Sequence, residues 1–147
     1  MKNRDNSKIS VVLVHGAFAD ASSWRKVIPL LEKDGFTVTA VQIPLKSLAD
    51  DVATTKRVID AQKEDVILVG HSYGGAVITD AAAGNAKVKT LVYVAAFAPD
   101  AGEALGGLIE RFSASALATA KVSSHCRSKR AFQIPPPLPR IDSSWLK

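Results

Sequence analysis

Apolar residues in the N-terminal two thirds of the chain fall into two kinds of spacing, and the two kinds alternate. Ile9 to Val14 (ISVVLV) is an apolar run that stops at His15-Gly16, as a parallel strand buried on both faces would. Trp24, Val27, Ile28 and Leu31 follow at i, i+3, i+4 and i+7, which lines one face of a helix. Pro29 lies inside that pattern, so the regular helix is expected to start near Val27, after looser turns. Gly35, directly after Asp34, fits the end of that helix. Thr37 to Gln42 predicts a second strand, which Pro44 breaks. Ser47-Leu48-Ala49-Asp50 has the form of a capping box. Leu48, Val52, Thr55 and Ile59 then mark the inner face of a second helix. Asp65 to Val69 predicts a third strand, Gly74 to Gly84 a helix rich in small residues, and Lys89 to Ala96 a fourth strand ended by Pro99.

Strands alternating with helices across short loops imply an α/β fold, a parallel sheet with helices on both faces. Past Asp100 the pattern weakens. Ala104 to Ala120 still carries a helical pattern, but no periodicity continues beyond Val122, and no internal repeat is found.

Charge sharpens that boundary. The chain of 147 residues has a net charge of +5 and is 47% hydrophobic, enough for a real core. Residues 1–120 hold 13 basic and 13 acidic residues, whereas residues 121–147 hold 6 and 1, so all the excess charge sits at the end. Four of the 7 prolines are there too, in Pro135-Pro136-Pro137 and Pro139. The expected organisation is an α/β domain over residues 9–120 followed by a basic, proline-rich, disordered tail over 121–147. The single cysteine, Cys126, precludes an intrachain disulfide. The apolar run before His15 is too short for a signal-peptide core or a membrane span. The expectation is therefore a soluble, cytoplasmic protein with no membrane partner.

The candidate chemistry lies in VILVGHSYGG, residues 66–75. A G-x-S-x-G sequence between a strand and a helix forces a sharp turn that presents the serine, here Ser72, as a nucleophile. Gly70 and Gly74 leave room across that turn, and the helix N-terminus beyond it favours negative charge. The bland alternative is an ordinary glycine-rich turn, which the flanking apolar run and small-residue helix argue against. Acyl transfer also needs two backbone donors aimed at the developing oxyanion. The N–H of Tyr73, directly after the nucleophile, is one candidate. The N–H of Ala17, where the first strand leaves the sheet in Val14-His15-Gly16-Ala17-Phe18, is the other; by itself that stretch reads equally well as a strand-ending turn.

The stretches VVLVHGAFADASSWRKVIPLL, TAVQIPLKSLADDV, VILVGHSYGGAVI and LVYVAAFAPDAGE together resemble the α/β-hydrolase superfamily, over about residues 9–112. The nearest subgroup is the small bacterial hydrolases akin to plant methyl esterases and hydroxynitrile lyases. The resemblance implies that Ser72 is the nucleophile and that Ala17 and Tyr73 carry the oxyanion donors. It also implies a partial fold of four strands in the spatial order 2-1-3-4. Members of that family continue with a lid and two more strands, which bring an Asp and then a His to the serine. Neither is recognisable here.

Two substitutes are available. His125 is the only histidine after Ser72 and so a candidate base, against the simpler reading of a solvated tail histidine. Asp100, past the fourth strand, is a candidate acid, against the simpler reading of a turn carboxylate in A-P-D-A-G. His15 and His71 match family positions that are not the base. In the tail, Lys121, Arg127, Lys129 and Arg130 carry no nucleic-acid motif, and no nucleic-acid partner is expected. His125-Cys126 lacks two further metal ligands at suitable spacing. Neither a G-x-G-x-x-G nor a phosphate-loop lysine motif occurs, so no metal or organic cofactor is expected.

The sequence thus points to a serine hydrolase acting on a small ester-type substrate, impaired by the missing Asp and His. The alternative is a non-catalytic hydrolase remnant that acts only as a binding or self-associating domain, with the apolar fourth strand as a sheet edge. The abrupt shift in charge and proline content also suggests a change of reading frame after about residue 117. If so, the downstream DNA read in another frame encodes a lid followed by an Asp and a His. Sequencing that DNA and finding no such segment would end the idea.

Overall fold

The computed structural model describes residues 6–100 and residue 103. All of its regular elements belong to the unit Met1–Ala101. The expected helix over 104–120, the boundary at 120 and the tail with His125 lie outside the described residues.

Four strands form one parallel sheet: β1 (Ile9–Val14), β2 (Thr37–Val41), β3 (Asp65–His71) and β4 (Val88–Val94), in the order β2-β1-β3-β4. This is the expected spatial order 2-1-3-4. Val12 of β1 aligns with Thr39 of β2 and with Leu68 of β3, and Leu68 aligns in turn with Leu91 of β4. The connections are α1 (Ile28–Lys33), α2 (Leu48–Ala61) and α3 (Gly74–Ala82).

Both faces of the sheet are covered, which is why β1 reads as an apolar run rather than an alternation. Val12 and Val14 face one side, in a core with Val66 and Leu68 of β3, Ile59 of α2, and Val77, Ile78 and Ala81 of α3. Val11 and Leu13 face the other side, with Trp24 and Val69, against Ile28 and Leu31 of α1. The glycines and alanines of α3 bury its backbone close to the sheet.

The helix expected around Trp24 is split. Ala21–Trp24 is a short 3-10 turn, capped by the Asp20 carboxylate accepting from the Ser22 N–H at 2.8 Å. Only from Ile28 does the chain become α-helical, with Pro29 in its first turn, where its missing N–H leaves no bond broken. Trp24 therefore reaches the core from the turn and Val27 faces solvent. Gly35 follows α1 at φ +89°, the left-handed conformation that ends a helix. At α2, Ser47 accepts from the Asp50 N–H at 3.1 Å, the N-cap half of the expected capping box. Its hydroxyl also donates to the Asp50 carboxylate at 2.8 Å.

Among the described residues β4 pairs only with β3, and Val92, Tyr93 and Val94 are exposed. Central packing should dominate stability. Ile59, fully buried between α2 and the sheet, is expected to cost about 2–5 kcal/mol when replaced by alanine. Urea denaturation of Ile59→Ala reads this directly, and a loss below about 1 kcal/mol would contradict that seat for α2.

Candidate functional site

The carboxyl ends of β1 and β3 meet at one serine. β3 ends at His71, and Ser72 follows at φ +53°, in the left-handed region that side chains other than glycine rarely occupy. Such a residue costs about 1–3 kcal/mol and persists only where its surroundings over-determine it. Here the carbonyl of Ser72 accepts two backbone N–H groups, from Gly75 at 3.0 Å and from Phe97 at 3.1 Å. The Ser72 N–H donates to the Val94 carbonyl at 3.4 Å. The turn is thus fastened forward to α3 and sideways to the chain leaving β4.

The glycines around it are required by space. A Cβ on Gly70 would lie 2.6 Å from the Gly74 carbonyl oxygen, and one on Gly74 would lie 2.6 Å from the Val14 carbonyl oxygen. Real Cβ atoms do not approach backbone so closely, so the end of β1, the end of β3 and the start of α3 can converge only with glycine there. Gly75 meets the Phe97 carbonyl and the Ala96 side chain in the same way.

The turn after β1 packs directly on the serine. A Cβ on Gly16 would stand 3.0 Å from the Ser72 Cβ. His15 holds this turn in place. Its ring is fully buried, with Nε2 accepting from the Ile43 N–H at 3.2 Å. Nδ1 therefore carries the hydrogen and donates to the Gly16 carbonyl at 2.9 Å. Both ring nitrogens are committed to backbone. Ala17, next in the chain, is exposed.

Tyr73 precedes the first residue of α3, and its side chain reaches α2. The phenol donates to Oδ2 of Asp51 at 2.8 Å. Burial, and then the hydrogen bond and charge of Asp51, raise the Tyr73 pKa above the ordinary tyrosine range. The His71 ring meets Trp24 edge to face, with centroids 6.4 Å apart.

The structure therefore brings Ser72, Tyr73 and the Gly16-Ala17 turn together. Asp100 lies beyond β4 and is exposed. His125 falls outside the described residues. Among the described residues no three His, Cys, Asp or Glu side chains are grouped to hold a metal. No described helix is long and apolar enough to cross a membrane.

Two residues escaped the sequence reading. His15 gave only the signal of a histidine ending an apolar run. Asp51 offered a clearer one. It sits three residues after Leu48 and four before Thr55, on the inner face of α2, where a carboxylate is out of place unless something pairs with it.

Comparisons with known proteins agree with the fold. Residues 11–146 match the model of the alpha/beta hydrolase family. An alpha-hydroxynitrile lyase of Arabidopsis thaliana is 36% identical over 115 residues, which cover 69% of this chain and 45% of that protein. Methylesterase 8 of the same plant is 33% identical, covering 78% of this chain and 47% of the relative. The chain spans about half the length of the curated relatives it matches. The crystal structure of a pyrethroid hydrolase from Sphingobium faniae JZ-2 superimposes with a TM-score of 0.55 at 28% identity, over 60% of this chain and 40% of that one.

Proposed function

This chain belongs to the alpha/beta hydrolase family, and from that membership we propose that it carries the nucleophile and oxyanion donors of a serine hydrolase for small ester-type substrates. The observation that carries the reading is the left-handed backbone of Ser72 at the end of β3, packed against the Gly16 turn. The ester chemistry is carried over from relatives such as methylesterase 8.

In this mechanism Ser72 Oγ attacks the ester carbonyl carbon and gives its proton to a base. The carbonyl oxygen takes the negative charge and is held by the N–H groups of Ala17 and Tyr73. The N-terminus of α3 adds a favourable field there. Collapse of the intermediate expels the alcohol, and water then releases the acid from the acyl-enzyme. His125 is the chain's candidate base and Asp100 its candidate acid.

A second reading has its own support. His15 spends both ring nitrogens on backbone and the His71 ring lies against Trp24. If His125 does not reach Ser72, neither described histidine is free to serve as its base. In a subtilisin-type protease, losing the histidine costs about 10⁶ in kcat, and the oxyanion hole and binding leave about 10³–10⁴ over water. The domain would then act by binding or by self-association through β4, where Val92, Tyr93 and Val94 are exposed.

Fluorophosphonate labelling read by intact mass, with Ser72→Ala beside wild type, separates the two readings. Labelling that requires Ser72 is the expected result, and a folded protein that takes no label defeats the hydrolase reading. Self-association is read separately, by size exclusion with light scattering over a range of concentrations. Wild type is expected to form dimers or larger species that Val92→Lys disperses. A monomer at every wild-type concentration would dispose of the edge as an interface.

A further inference from the structure

Asp51 is 1% exposed, and both of its carboxylate oxygens are used by groups outside its own helix. Oδ1 accepts from the Leu45 N–H at 2.8 Å and Oδ2 accepts from the Tyr73 hydroxyl at 2.8 Å. Its own carbonyl accepts from the Thr55 hydroxyl at 2.8 Å, which adds a local tie within α2. Two donors from two different loops thus converge on one side chain. Only an acceptor-only group satisfies both, because an amide would turn an NH₂ towards one of them.

One of those donors belongs to a strained residue and the other directly follows one. Only three described residues other than glycine have positive φ: Leu45 at +55°, Ser72 at +53° and Ala95 at +43°. Asp51 binds the backbone of the first and the side chain that directly follows the second. We propose that Asp51 is a positioning residue for the Ser72 turn, its carboxylate locking the Tyr73 side chain to the Leu45 loop and so fixing the Tyr73 N–H towards the oxyanion. This role rests on the serine hydrolase reading above for its purpose, though not for its geometry.

The lock works through rigidity. A strained turn relaxes unless several bonds oppose the relaxation. Phe97 and Gly75 hold the Ser72 carbonyl, and Asp51 holds the next side chain, so the peptide between them has little freedom. The raised Tyr73 pKa fits the same picture, since the phenol keeps its proton to donate. A misplacement of about 1 Å at a reacting site can cost about 10²-fold in rate.

The test compares wild type, Asp51→Asn, Tyr73→Phe and the double variant, each at a temperature where it is fully folded. The first readout is the second-order rate of fluorophosphonate labelling at Ser72. The second is hydrogen exchange at the Gly75 and Phe97 amides, which bond the Ser72 carbonyl and report the turn without needing activity. Each single variant is expected to slow labelling about 10-fold or more. The double variant should be no slower than the slower single, because both break one linkage. Exchange at both amides should quicken. Labelling in folded Asp51→Asn within about 2-fold of wild type would overturn the proposal. If wild type takes no label, the hydrolase reading fails by itself, and exchange decides the lock: faster exchange in Asp51→Asn upholds it, and unchanged exchange overturns it.

Discussion

One strained residue organises this molecule. Ser72 takes a left-handed backbone that its side chain disfavours, and the surrounding chain is arranged so that it cannot do otherwise. Glycines at 70 and 74 let three backbone segments converge on it. The chain leaving β4 grips its carbonyl through Phe97. The β1 turn presses against its side chain at Gly16. The strain is tolerable because these contacts are themselves anchored in a buried parallel sheet.

That sheet does two jobs. Covered on both faces, it gives β1 and β3 rigid central places, and it brings their carboxyl ends side by side. Ligand sites in open parallel sheets form at such ends. The polar anchors lie where the loops leave it. His15 ties the turn after β1 to Ile43, beyond β2. Asp51 ties the loop after β2 to the residue after Ser72. Both are buried polar groups with a partner at each polar atom of the side chain, the condition under which burial of polarity is tolerated. The loops around the serine are therefore held by hydrogen bonds from within the fold.

Family membership bounds the chemistry without choosing it. A hydroxynitrile lyase and a methylesterase are similar to this chain to nearly the same degree. One scaffold can host both, because a fold does not fix the reaction of the site built on it.

The sequence by itself determined the strands and helices of a parallel sheet; their spatial order followed from its resemblance to a known superfamily, and G-x-S-x-G singled out Ser72 as a candidate nucleophile. Apolar runs and helical spacing report burial directly, and the glycines flanking the serine report a steric need that no other residue meets. Pro29, whose missing N–H acts locally, also marked the late start of the helix near Val27, next to the observed start at Ile28. Only the tertiary structure decided what the polar residues do. Trp24 reads as one more helical position, yet it reaches the core from a 3-10 turn. His15 and Asp51 act on partners 28 and 22 residues away. Periodicity shows which face a residue occupies, but a hydrogen bond between distant loops depends on how the sheet brings those loops together, and that exists only once the chain has folded.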